Sequence, residues 1–392
     1  MKKTLGISVL SAMLILGQPI MAFADVTVPE SKIVQFQDIE SIIVEHNLEV
    51  RINENDRQDS NVGLASLKRD LKKMNDRIDD INDQMGESSD ITVRIALTTE
   101  KRALVANVKV LERNLADMPT SVSSTDVAAT MSDDQQVRLA ESAYIMHNML
   151  DLAIADISLS IDTLEDQLNV MQVRETLGVV THTNVDDLKT KLVDLHTQLE
   201  SNKLQQDLAE RQFKDLINSQ DDSLEIGKLP ITDEAFAVKD KDDDVKKAGE
   251  NSYAIKLQQE KIVILKATLD RAEKDNGLSS AEYKHAKIDL DSAYLVLSQL
   301  KDKVTSDYST VVDDIAKKQS NLRLEEQKLE DKRVAMNEAQ LKLSLGVITQ
   351  LDLNSIVTDF QLQGDVVQTN KINLFTAINS YDWLLQGMPY SA

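Results

Sequence analysis

The sequence predicts an all-α protein built from long antiparallel coiled-coil helical hairpins in two tandem repeats. Three observations predict it. Two short stretches nearly repeat one another: Leu177-Gly178-Val179-Val180-Thr181-His182-Thr183-Asn184-Val185 and Leu345-Gly346-Val347-Ile348-Thr349-Gln350-Leu351-Asp352-Leu353. Each interrupts a long helical pattern, with Gly where a helix ends in a left-handed residue and Thr, then Asn or Asp three residues on, where the next begins. Second, the five prolines, Pro19, Pro29, Pro119, Pro230 and Pro389, all fall at ends or in candidate loops, so the stretches between favour long helices. Third, Tyr308, Ile315, Leu322, Leu329, Met336 and Leu343 lie seven apart, and Val185, Leu188, Leu192, Leu195 and Leu199 alternate spacings of three and four. Such a period of 3.5 residues implies helices wound around one another with a left-handed supercoil.

In chain order, residues 1–24 read as a secretory signal peptide. Lys2 and Lys3 form its charged start, Leu5 to Leu16 its apolar core, and Ala22-Phe23-Ala24 its small-x-small cleavage site. The mature chain is expected to begin at Asp25. The first repeat, 25–220, has a helical pattern from Phe36 to about Gln84, a turn at Gln84 to Asp90, and helix from Ile91 to about Asp117. Met118 to Asp134, with Pro119 and many Ser and Thr, reads as a loop or a disturbed helical segment. Helix follows from Gln135 to Thr176, then the first hairpin tip, then a return helix from Thr183 to Asn218. Residues 221–248, with Gly227, Pro230 and an Asp/Lys run, read as a connector. The second repeat, 249–392, has helix from Asn251 to about Lys274, a turn at Asn276-Gly277, and a helix of roughly 100 Å from Ser279 to Ser344. The second tip and a last helix to about Gln386 complete it. A lone hairpin leaves much of its apolar edge wet, so assembly with further helices is expected to cover it.

Composition excludes several function classes. There is no cysteine, hence no disulfide framework and no lipid-modified Cys at the mature N-terminus. The net charge of −22 argues against nucleic acid or an anionic lipid surface as an electrostatic partner. No later stretch has the roughly 18 consecutive apolar residues of a membrane helix. There are no serial alternating ten-residue segments, and with aromatics at 4% a membrane β-barrel's girdle is hard to build. No phosphate-binding Gly-rich loop, Gly-x-Ser-x-Gly elbow or His-Glu-x-x-His is present, so neither enzyme chemistry nor a cofactor is expected. His182 and the remaining histidines have no ligand partners at metal-binding spacing, and Trp383 reads as core or interface packing.

The paired tips resemble those of the TolC-like outer-membrane efflux proteins, which carry Gly-x-x-(Ser/Thr)-x-x-(Asp/Asn)-hydrophobic at the tip of each of two repeats. Gly178, Thr181, Asn184 and Val185 match in the first half, and Gly346, Thr349, Asp352 and Leu353 in the second. Glu45-His46-Asn47 and Glu250-Asn251-Ser252 are similar to the Asn-containing start of a repeat, and Leu224-Glu225-Ile226-Gly227 to the inter-repeat connector. The resemblance implies a homotrimer whose helices form a hollow α-barrel. It also implies a β-barrel in the outer membrane, an inner-membrane pump, and a periplasmic adaptor protein that docks at the tips. Leu177, Gly178, Val179, Val180, Thr181 and Asn184, with Leu345, Gly346, Val347, Ile348, Thr349 and Asp352, are the tip residues so implied. Asp352 matches an acidic gate position. The next acidic position is Ser355 here, the bridging Arg is Ile348, and its acidic partner is Asn184.

One departure is large. Where the family places a β-hairpin in each repeat, this chain has only Gln84 to Asp90 and Asp275 to Ser279, too short for membrane-spanning strands. Either the cell has no outer membrane to cross, or the barrel lies in 118–134. Two functions follow: an exported tunnel component of an efflux or secretion system, placed in the outer membrane or at the extracytoplasmic surface of a single-membrane bacterium, or a secreted or cell-envelope coiled-coil scaffold that kept the fold and lost the pore.

Overall fold

A computed structural model describes residues 33–390 apart from 222, 233 and 234; the signal-peptide reading lies outside the described residues. The order is β1 (Ile33–Val34), a 3-10 turn at Phe36–Asp38, α1 (Ile39–His46), α2 (Leu48–Glu87), α3 (Ile91–Thr176) and α4 (His182–Leu216) in the first half. Then come β2 (Glu225–Ile226), α5 (Lys241–Asn251), α6 (Tyr253–Asn276), α7 (Ala281–Ser344) and α8 (Gln350–Gln386). The all-α prediction holds. Among the described residues the only strands are β1 and β2, a two-residue parallel pair that ties the chain start to the connector.

Each repeat has one long helix with two shorter ones stacked along it. In the first, α2 and α4 both pack on α3, which at 86 residues is about 130 Å long. In the second, α6 and α8 both pack on α7. The repeats meet through α3, so the helices stand side by side in the order α2–α3–α6–α7 towards one end and α4–α3–α8–α7 towards the other.

The repeats share a clasp at mid-length. Asn47 caps α2, its Oδ1 accepting from the Glu49 and Val50 N–H groups (2.9 and 3.2 Å), while its Nδ2 donates to the carbonyl of Leu216 at the end of α4 (2.7 Å). In the second repeat the Asn251 Nδ2 donates to the Leu385 carbonyl at the end of α8 (2.7 Å). Around these clasps lies the core: Phe36, Tyr144 and Phe213 packed edge to face, with Ile39, Ile43, Tyr253, Trp383 and Met388. Trp383 is buried there, and its indole N–H donates to Glu141 at 2.6 Å. A second cluster centres on Tyr308, Val311, Ile315 and Tyr381, where Asp244 accepts from both tyrosine hydroxyls. The heptad positions of α7 face inward as their period requires: Tyr308 and Ile315 are buried, and Leu322, Leu329, Met336 and Leu343 are half-buried.

Three sequence expectations change. Residues 118–134 form neither a loop nor a barrel but the unbroken middle of α3. Pro119 removes one helical hydrogen bond, yet Asp117 before it pairs with Arg271 (2.7 Å) and Ser123 after it donates to Glu260 (2.6 Å), so α6 holds both flanks. This overturns the idea that a β-barrel resides there. Second, the Asp/Lys run in the 221–248 connector folds as α5: Asp240 caps it, and Asp242, Asp243 and Asp244 occupy the first turn, where the helix dipole favours them. Third, the predicted start of helix at Asn251 falls on a break, because Ser252 ends α5 and caps α6.

Candidate functional site: the two hairpin tips

The tips are built alike. At the first, α3 ends at Thr176 and Gly178 takes φ +71°. The Gly178 N–H bonds the Glu175 carbonyl and the Val179 N–H the Arg174 carbonyl, both at 2.8 Å. At the second, Gly346 also takes φ +71°, with its N–H on Leu343 and the Val347 N–H on Lys342, both at 2.9 Å. Both are Schellman closures, which satisfy the last carbonyls of a helix through one left-handed residue.

The return helices start with a matching device. The Asn184 Oδ1 accepts from the Thr181 N–H (3.2 Å) and hydroxyl (2.5 Å). At the second tip the Asp352 Oδ2 accepts from the Thr349 N–H (2.9 Å) and hydroxyl (2.8 Å), and the Asp352 N–H returns a bond to Thr349 Oγ1 (3.2 Å). These bonds favour the ionised carboxylate and hold Asp352 below the usual Asp range, with a smaller contribution from the charge of Arg174 on the other tip. Asp352 is thus a capping residue first.

Each tip presents the same pair of bare apolar side chains. Leu177 and Val179 are 71% and 70% exposed, Leu345 and Val347 70% and 68%. Val180 and Ile348, one residue on, turn inward and are half-buried. His182, which the sequence leaves without ligand partners at metal-binding spacing, is exposed and pairs with Glu175 (2.7 Å) and Asp186 (3.1 Å). No cluster among the described residues has the makings of a metal site.

Behind the tips, α3 and α8 run antiparallel along a polar seam that sequence reasoning did not find. Glu141 accepts from Asn379 (2.7 Å) and Trp383, Asp156 hydrogen-bonds Asp365, and Thr163 Oγ1 meets Thr358 Oγ1 at 2.9 Å. Burial, then the bond to and the charge of Asp365, push Asp156 up to about 7. One Asp156 oxygen, Oδ1, is buried with no hydrogen-bond partner. Neither residue stands out in a sequence with 66 acidic side chains; only the α3–α8 register brings them together.

This architecture is shared with solved channels. The outer-membrane channel OprN matches with a TM-score of 0.59 at 13% identity, over 90% of each chain. The open state of the MtrE outer membrane channel of Neisseria gonorrhoeae matches with a TM-score of 0.59 at 9% identity, over 91% of this chain and 90% of that one. The outer membrane protein VceC of Vibrio cholerae matches with a TM-score of 0.55 at 11% identity, over 90% and 96%. No protein-family model and no curated protein matches the sequence. The fold is therefore TolC-like, with helix-to-helix turns at residues 88–90 and 277–280 and no membrane-barrel strands among the described residues. No described helix is long and apolar enough to cross a membrane.

Proposed function

We propose that this chain is an exported channel component of an efflux or secretion system. Three copies close into a helical tunnel of the cell envelope, and the exposed tips dock an adaptor protein that links it to an inner-membrane pump. One observation carries the reading: the helices form an open row whose two edges are unsealed. On α4, Val193, Leu204 and Leu208 are exposed, and on α7, Leu324, Val334 and Leu341. A row curved by supercoiling and apolar on both edges is completed by joining α7 of one copy to α4 of the next, a head-to-tail contact that closes into a ring. The tips then form one rim of the ring, each copy contributing two apolar pairs to an adaptor of matching helical-hairpin character. No covalent chemistry is required, and the solved channels of this fold support conduction rather than catalysis.

The test is negative-stain electron microscopy of the mature chain from Asp25, with its mass in solution by light scattering. A threefold hollow tube of three copies is the expected result. A single-copy mass or a solid bundle overturns the tunnel and leaves a helical scaffold.

A further inference from the structure

The first repeat outruns the second at the end opposite the tips. Asp275, one residue from the end of α6, pairs with Lys109 (3.3 Å) and Arg113 of α3. From that level α3 continues to Ile91, about 30 Å further at 1.5 Å per residue, accompanied only by the end of α2. Each copy therefore ends in a lone two-helix finger. Arg77–Glu100 (2.9 Å) and Lys101–Asn82 (2.6 Å) fix its register.

The finger's two outer edges differ in chemistry. On α2, Ile81 is buried against α3, and the opposite face carries Asp76, Asp80, Asp83 and Glu87 at helical spacing. All four are exposed, and none has an ion-pair partner among the described residues. On α3, Leu97 and Val108 are buried, and the face away from α2 carries Ile91, Ile95, Arg102 and Val105. Ile91 and Ile95 are 75% and 63% exposed. This apolar and basic stripe continues the α3 face that bears Lys109 and Arg113, which pair with Asp275 at the end of α6. One surface is thus a helix–helix interface over part of its length and bare over the rest.

We infer that a second copy covers it: the α3 edge of each finger packs against the acidic α2 edge of the next finger. In the register of the hairpin, Arg102 falls level with the turn that holds Asp76 and Asp80, and Ile95 with Asp83 and Glu87. The contact is head to tail, the kind of contact that a threefold ring requires. It rests on the three-copy ring proposed above. With four helices abreast in each copy, that ring is about twelve helices at ~10 Å spacing, a radius of ~19 Å. Six finger helices make a ring of radius ~10 Å, reached when each finger leans inward by ~9 Å over its ~30 Å. The end opposite the tips then tapers to a narrow six-helix collar.

The chain has no cysteine, so a Cys pair reports the contact directly. In the full mature chain, Ile95→Cys with Glu87→Cys places the thiols on opposite outer faces of one finger. Their Cα atoms are then roughly 14 Å apart, beyond the ~7 Å limit for a disulfide within one copy. Oxidation is expected to give covalent dimers and trimers on a non-reducing gel, and either single variant no trimer. Arg102→Glu is expected to slow crosslinking several-fold, and adding Asp80→Lys to restore it. A three-copy mass by light scattering with no crosslink overturns the collar and leaves the ring intact. A single-copy mass overturns both.

Discussion

At the scale of single residues, glycine has opposite values at different places in this chain. Gly178 and Gly346 face open space, where an added Cβ meets nothing within 4 Å, yet both sit at φ +71°. The cost of replacing them is conformational, about 1–2 kcal/mol for an L residue and more for a β-branched one. Gly178→Val and Gly346→Val should each lower the urea midpoint at unchanged slope. Gly86 also faces open space but lies inside α2. Gly86→Ala should raise stability by about 0.5–1 kcal/mol in the same titration. The Asp156–Asp365 pair predicts a pH dependence. Asp156 is raised from 3.8 to about 7 in the fold, so the native state holds a proton that the unfolded chain has released. Its contribution is fully present below pH ~3.8 and is lost as pH rises through about 7. Asp156→Asn keeps the donor to Asp365 without the ionisation. The fall in Tm between pH 5.5 and 8 should therefore be smaller in this variant than in the parent; an equal fall would mean that the pair does not share a proton.

At the scale of the element, tertiary contact decides what local propensity leaves open. Pro119 costs α3 a hydrogen bond that its contacts with α6 offset, so Pro119→Ala should stabilise the protein, by up to about 3 kcal/mol, seen as a higher Tm. Asn47 does two jobs, capping α2 and holding the Leu216 carbonyl. Asn47→Ala should cost about 2 kcal/mol, more than an ordinary exposed cap. The same distinction explains what could be read in advance. The turns at Gly178 and Gly346 were legible because a left-handed residue and a capping box are local requirements. The heptads of α7 were legible because burial imposes its period along one helix. An unbroken helix through Met118–Asp134 was not, since Pro, Ser and Thr left a loop and a disturbed helix both open, and the contacts that decide for helix come from Arg271 and Glu260, more than a hundred residues away. For α5 the signal was present, as Asp240 with acidic residues in the following turn is a helix start, but the charge run reads equally as a solvated linker. The α3–α8 seam needed a register between repeats that no local pattern carries.

At the scale of the whole molecule, the unsealed edges make assembly and solubility one problem. Leu204→Glu with Leu208→Glu on α4 leaves the buried face of that helix untouched. It should reduce a three-copy mass to a single copy by light scattering while the helical circular dichroism is retained. The mid-length clasps bear on how the chain acquires this form. Asn47 waits for Leu216, and the second repeat is fastened by Asn251 to Leu385 and by the Tyr253 N–H to the Gly387 carbonyl at 3.3 Å. Each fastening joins the beginning of a repeat to its end. The first clasp needs nothing beyond Leu216, but the core around it takes Tyr253, Trp383 and Met388 from the second repeat, which locks only with its final residues. The two halves therefore close together, and a chain that ends before Leu385 keeps the Asn47 clasp but lacks both fastenings of the second repeat and Met388 of the shared core.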